Sequence, residues 1–161
     1  MKLATLTALT AAASLFLAFP AQAENPDHLE QLLETKMCAG CDLSGADLSG
    51  VNLTEAYLIG ADLRAANLQN ANLVNANLEG ADLTGANLEG ANLTAALVTN
   101  AVLREADLDQ ADFTAARMYD VDVAGASMSD MVIVDAEIFE TGIGVGGSFD
   151  ELDPELVPGQ N

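Results

Sequence analysis

The chain is 161 residues long, half of them apolar, with few aromatics, no Trp and two Cys. Its 25 acidic groups far outnumber its five basic ones, for a formal net charge of −20 at pH 7. A surface that acidic repels nucleic acid and anionic lipid, and so argues against partners of either kind.

The N-terminal segment places Lys2 before a charge-free run from Leu3 to Phe19, followed by Pro20 and Ala21-Gln22-Ala23. This is the pattern of a secretory signal over residues 1–23, cleaved after Ala23. The alternative is a retained transmembrane anchor, for which 17 residues rich in Ala and Thr are at the short edge of spanning length. The residue directly after the cleavage point is Glu24 and not Cys, which argues against lipid attachment. The remaining 138 residues would carry all 25 acids and four bases, a formal charge of −21. Export, to a periplasm or a thylakoid lumen, is the expected localisation, with no stable membrane insertion after processing.

Residues 24–40 read as an N-terminal capping helix. Asn25 is a good N-cap, Pro26 suits the first helical position, and Asp27 meets the positive end of the dipole. Leu29, Leu32, Leu33 and Met37 fall at helical spacing on one side, and Gly40 is the expected stop. A docking helix for a partner is the alternative reading of that stripe. His28 reads as a solvated helix residue.

Cys38 and Cys41 form the only pair with redox or metal spacing. A zinc site would need two more soft ligands, and a thioredoxin-type role needs a βαβ context absent here. In an exported protein the favoured reading is a structural disulfide at the joint between helix and repeat, with two free thiols as the alternative. No cofactor or metal is expected.

From Cys41 to Glu140 the chain repeats every five residues without a slip: small, polar, large aliphatic, then two variable positions. Twenty repeats place Ala at 16 first positions and Leu at 13 third positions. On a helix, at about 100° per residue, the Leu positions would rotate round the cylinder, and no apolar face would result. On one continuous strand an odd step sends successive Leu to opposite faces. The chain must instead turn a corner every five residues, with first and third positions pointing inward. Gly45, Gly50, Gly60, Gly80, Gly85, Gly90 and Gly125 occupy fifth positions together with Asn70, Asn75 and Asn100, all residues that tolerate turns. Past Glu140 the period fails. The Gly-rich run from Thr141 to Ser148 and the acidic, Pro-containing end read as a flexible tail, residues 141–161, with Phe149 and Leu152 able to fold back over the last coil.

Runs such as Ala76-Asn77-Leu78-Glu79-Gly80-Ala81-Asp82-Leu83-Thr84-Gly85 resemble the A-(D/N)-L-x-x signature of the pentapeptide repeat family. That resemblance implies an all-β solenoid: a right-handed, quadrilateral parallel β-helix with four pentapeptides per coil, hence about five coils over residues 41–140. The segment from Gln31 to Leu43 also resembles the corresponding stretch of signal-bearing family members from cyanobacteria and thylakoid lumens.

With Leu over Leu and Ala over Ala the interior has no room for a substrate, so an enzyme is not expected. One implied side stacks Asp42, Asp62, Asp82 and Asp122, interrupted by Val102, which leaves a calcium-binding acidic solenoid as one alternative. An acidic rod that mimics DNA and inhibits a topoisomerase, as some family members do, is another, though export argues against it. The favoured function is a rigid scaffold for an unknown protein partner. Four sides per coil put Tyr57, Ile59, Leu97, Arg117, Tyr119 and Phe139 on one side, the candidate partner-binding face, since interfaces favour aromatic residues and Arg on a rigid platform.

Overall fold

The structure is a computed structural model that describes residues 25–139 and 141. The expected signal segment, residues 1–23, lies outside the described residues, as does all of the expected tail but residue 141.

The first element, α1, spans Pro26–Thr35. The Asn25 side chain accepts the Asp27 N–H at 3.1 Å, Pro26 needs no partner in the first turn, and the Asp27 carboxylate sits where the helix dipole is positive. The helix stops at Lys36 rather than at Gly40. Lys36 takes a left-handed conformation (φ 57°) and its N–H closes on the Leu32 carbonyl at 2.9 Å. Lys36 to Gly40 then run as a degenerate pentapeptide in register with the repeat: the Lys36 carbonyl accepts the Tyr57 N–H at 2.7 Å, and the Cys38 N–H donates to the Tyr57 carbonyl at 2.8 Å. Only part of the expected apolar stripe is core. Leu32 is fully buried and Leu29 packs against the core, but Leu33 and Met37 are about half exposed, Met37 because it lies in the repeat and faces outward.

Beyond α1 the chain winds as a parallel β solenoid in which residue n pairs with residue n + 20, so each turn takes four pentapeptides. Asp42, Asp62, Asp82, Val102 and Asp122 form one such ladder, and three others run beside it. Pairing is limited to single bridges over most of the length, because the fourth and fifth residues of every repeat are turn. Among the described residues only β1 (Arg117–Tyr119) and β2 (Glu137–Phe139) pair continuously over three residues, in parallel.

Each position of the repeat has a distinct backbone task. Second- and third-position amides reach into the neighbouring turns, as in Asp62 N–H to the Cys41 carbonyl and Leu63 N–H to the Asp82 carbonyl, at 2.8 and 2.7 Å. The first-position amide closes the corner, as in Ala66 N–H to the Leu63 carbonyl at 3.1 Å. The fifth-position amide bonds along the axis, as in Ala65 N–H to the Thr84 carbonyl at 2.9 Å. That last bond requires a left-handed corner: every fifth position from Gly40 to Asp135 has φ between 51° and 75°. The expectation covered only Gly and Asn, yet Glu55, Ala65, Ala95, Glu105, Gln110, Ala115 and three Asp take the same conformation. From Glu55 to Asp120 the axial bonds hold these residues there against their local preference.

First and third side chains fill the axis. Leu43 through Leu93, Val98, Leu103, Leu108, Phe113 and Met118 are buried at the third position, with Ala, Cys41 or the partly buried Val51 beside them and no buried polar side chain among the described residues. Burial falls at the C-terminal end, where Ala126, Met128, Met131 and Ile138 are only partly covered.

Candidate interaction face

The second position explains itself once its side chain is traced. Its Oδ1 accepts the N–H of the fourth residue of the same repeat, closing an Asx turn, as in Ser44 N–H to Asp42 (3.2 Å), Glu89 N–H to Asn87 (2.9 Å) and Thr114 N–H to Asp112 (2.8 Å). All 13 Asp or Asn at second positions from Asp42 to Asp122 do this. The preference for Asp and Asn therefore has a folding cause, and repeats that depart from it forgo this hydrogen bond.

Seven repeats depart, at Tyr57, Leu97, Val102, Arg117, Ser127, Val132 and Glu137. Four of the seven lie in one ladder, which runs Met37, Tyr57, Asn77, Leu97, Arg117, Glu137. Beside it stand the fourth-position residues Ile59, Glu79, Thr99, Tyr119 and Phe139. All six residues named for the candidate face stand in this double column. Tyr57 and Phe139 are 39% and 63% exposed, Arg117 is exposed, and Ile59, Leu97 and Tyr119 are half-buried. At its lower end the Tyr119 and Phe139 rings stack with centroids 5.8 Å apart. The Tyr119 hydroxyl donates to Glu137 Oε2 at 2.6 Å, a bond that raises the pKa of the phenol, and Arg117 Nε lies 3.6 Å from the same carboxylate. The middle of the column is polar, at Asn77, Glu79 and Thr99.

The acidic ladder is chemically occupied. Asp42 binds both the amide and hydroxyl of Ser44, Asp82 does the same with Thr84, Asp62 pairs with Arg64, and Asp122 takes Arg104 Nε at 2.5 Å. The Ser44 hydroxyl and amide hold Asp42 below the usual carboxylate range, the Arg64 guanidinium does the same for Asp62, and for Asp122 the Ala124 amide leads with Arg104 second. Among the described residues no group of three or more His, Cys, Asp or Glu is placed to hold a metal ion.

Cys38 and Cys41 are joined by a disulfide and both are buried at the joint below α1. His28 is not merely solvated. Its Nδ1 accepts the Asp42 N–H at 3.0 Å, tying α1 to the first repeat, and its carbonyl lies 3.3 Å from Cys38 Sγ, a contact with no proton to share because that sulfur is in the disulfide. No local sequence signal links residues fourteen apart across a helix end, so this role was not readable. No helix among the described residues is long and apolar enough to cross a membrane.

The family model for pentapeptide repeats matches in eight copies, over residues 38–70, 61–100 and 91–130. No curated protein matches the chain in sequence. Among solved structures, a pentapeptide repeat protein from Nostoc Pcc 7120 is 28% identical over 69% of this chain and 96% of its own, with a TM-score of 0.53. Rfr23, a pentapeptide repeat protein of the cyanobacterium Cyanothece 51142, is 26% identical over 72% and 97%, TM-score 0.45. One from the thylakoid lumen of Arabidopsis thaliana is 29% identical over 69% and 68%, TM-score 0.38. A family match across more than half the chain, on a solenoid whose every turn is four pentapeptides, establishes that this chain belongs to the pentapeptide repeat family.

Proposed function

We propose that this protein is an exported, non-catalytic scaffold of about five right-handed coils, capped at its N-terminal end by α1, which binds a protein partner through the Tyr57–Phe139 column in the periplasm or thylakoid lumen. The observation that carries the reading is the composition of one column. The column holding both tyrosines of the chain is also the column where the Asx requirement is abandoned in four repeats. A side chain chosen only for folding would be Asp or Asn there. Tyr57, Leu97, Arg117 and Glu137 stand there instead, with Tyr119 and Phe139 beside them at fourth positions, and interfaces draw on Tyr, Phe and Arg held on rigid backbone. The closely packed axis supports a non-catalytic role, the leader-like residues 1–23 support export, and the net charge of −20 supports a protein rather than nucleic acid as partner.

Cell fractionation should find the mature protein, beginning at Glu24, in the exported compartment. Affinity capture from that compartment should retain a partner that the double change Tyr57→Ser and Tyr119→Ser releases while thermal stability changes little. Loss of capture on replacing Asp42, Asp62 and Asp82 instead would move the site to the acidic side, and a mature chain that still begins at Met1 would end the export reading.

A further inference from the structure

We infer that the occupant of the Tyr57–Phe139 column is an amphipathic helix of basic character, about four turns long, contributed by the partner; this rests on the proposed face and specifies its ligand. Three properties of the column select that shape and charge.

Size comes first. Five steps along the ladder from Met37 to Glu137, at ~4.8 Å each, make the column ~24 Å tall, and one side is only ~10 Å across. That is roughly 240 Å², well short of the ~800 Å² per partner that a stable globular interface uses. The same area limits any occupant, so the contact is of the weak, transient class, and what favours a helix over a second copy is that its width matches the strip. A helix is ~10 Å wide and covers ~24 Å with about 16 residues, and its 5.4 Å pitch nearly matches the spacing of successive turns of the solenoid.

Backbone supply comes second. An extended peptide binds a sheet by adding main-chain hydrogen bonds, which need free edge groups. Along this column they are used: the Leu97 N–H goes to the Ala76 carbonyl at 2.9 Å, and the Leu97 carbonyl takes the Leu78 N–H at 2.8 Å. A strand laid here would leave its own backbone unpaired. A helix satisfies its backbone internally and needs only side-chain contacts.

Charge comes third. The turns that bound the column carry exposed Glu55, Asp120 and Asp135, and Glu79 and Glu137 lie within it, five carboxylates opposed by Arg117 and by Lys36, whose Nζ donates to the Thr54 carbonyl at 3.0 Å. Glu79, exposed at mid-height between the aromatic ends, forms no ion pair among the described residues. A helix with an apolar stripe flanked by Lys or Arg meets Tyr57, Ile59, Leu97 and Phe139 with its stripe and the carboxylates with its flanks.

The test uses the purified full chain and fluorescence anisotropy with labelled 18-residue peptides. One carries Leu at helical spacing flanked by Lys, a second has the same composition scrambled, and a third replaces Lys by Glu. The first should bind at least about tenfold more tightly than either control, weaken as salt is raised, and be lost with Tyr57→Ser plus Tyr119→Ser. It should weaken several-fold with Glu79→Lys, an exposed change that leaves the core untouched. Equal binding of the scrambled peptide would show attraction by net charge alone and overturn the inference, as would equal binding of the Glu-flanked peptide. A stable dimer in sedimentation that the Tyr changes dissociate would give the face to a second copy. If a captured partner is released by the Tyr changes but the Lys-flanked peptide neither binds nor competes with it, the helix falls and the face stands. If neither capture nor peptide responds to the Tyr changes, both fall.

Discussion

The left-handed corners make a sharp stability prediction, because one backbone conformation is occupied by Gly at some turns and by Ala at others. Ala95 has φ 57° and its N–H is held to the Thr114 carbonyl at 2.8 Å, so the residue cannot relax. An L-residue in this region costs ~1–2 kcal/mol relative to the right-handed one, while Gly gives back ~0.5–1 kcal/mol through the greater freedom of the unfolded chain. Ala95→Gly should therefore stabilise the protein by ~0.5–1 kcal/mol, and Gly85→Ala, at φ 66° with open space around the added carbon, should destabilise it by a similar amount. In thermal melts followed by circular dichroism these should appear as opposite shifts of roughly 2–6 °C. Ala65 lies at a different corner from Ala95, so Ala65→Gly should add to Ala95→Gly almost fully. Gly90→Ala should cost more than Gly85→Ala, since its new carbon would lie 2.7 Å from Asn70 Oδ1 and that side chain would have to move. If Ala95→Gly lowers the melting temperature, unfolded-chain entropy outweighs corner strain and the account of the fifth position is wrong.

The inward register predicts that Leu83→Ala, fully buried between Leu63 and Leu103 in the flanking turns, costs ~2–5 kcal/mol in urea melts, while Thr84→Ala costs little; equal costs would break the register. For pH, Asp42, Asp47, Asp62, Asp109 and Asp122 are all held below their ordinary value of 3.8, chiefly by hydrogen bonds to Ser44, Ser49, Arg64, Ser127 and the Ala124 amide. A carboxyl lowered in the fold contributes its full stability above the unfolded value and loses it as pH falls through the folded one. Between pH 7 and about 5 the carboxylates stay ionised, so the melting temperature should hold there, and below about pH 4 the loss of these hydrogen bonds should outweigh the relief of acidic repulsion and lower it. A melting temperature still rising at pH 3 would refute it.

Much of this was legible because a strict period leaves few backbones. The five-residue step ruled out helix and single strand from Cys41 onward, and the four-sided coil that the family resemblance implies brought Tyr57, Leu97, Arg117 and Phe139 together. The features that escaped are those in which one residue type does another's work. Ala, Glu and Gln at fifth positions carry no turn signal, and only the axial hydrogen bonds force them left-handed. Lys36 to Gly40 lack the A-x-L pattern, so the first repeat read as helix. The excess of Asp and Asn at second positions was plain, but its cause was not, since the acceptor of an Asx turn is a geometric fact. Without that cause Tyr57 and Leu97 stood out for the side chains they carry and not for the Asx acceptor they lack.

That absence has a measurable corollary, because restoring the fold's preference on the column should strengthen the fold and remove the function. In the repeat before Leu97, Asn92 accepts both the Thr94 N–H at 3.0 Å and the Thr94 hydroxyl at 2.6 Å. Leu97 has Thr99 two residues on but nothing with which to accept either. Leu97→Asn supplies the acceptor at the price of a half-buried aliphatic group, and a hydrogen bond of this kind contributes ~0.5–1.5 kcal/mol. The net expectation is a gain of up to ~1 kcal/mol in urea melts together with weakened capture of the partner, the pairing that arises when a surface gives up stability for recognition. Were Leu97 a merely tolerated surface residue, the same substitution would stabilise the protein and leave capture unchanged. Were it a packing residue, the substitution would destabilise. Only a rise in stability joined to a loss of binding agrees with a face selected against the requirements of its own fold.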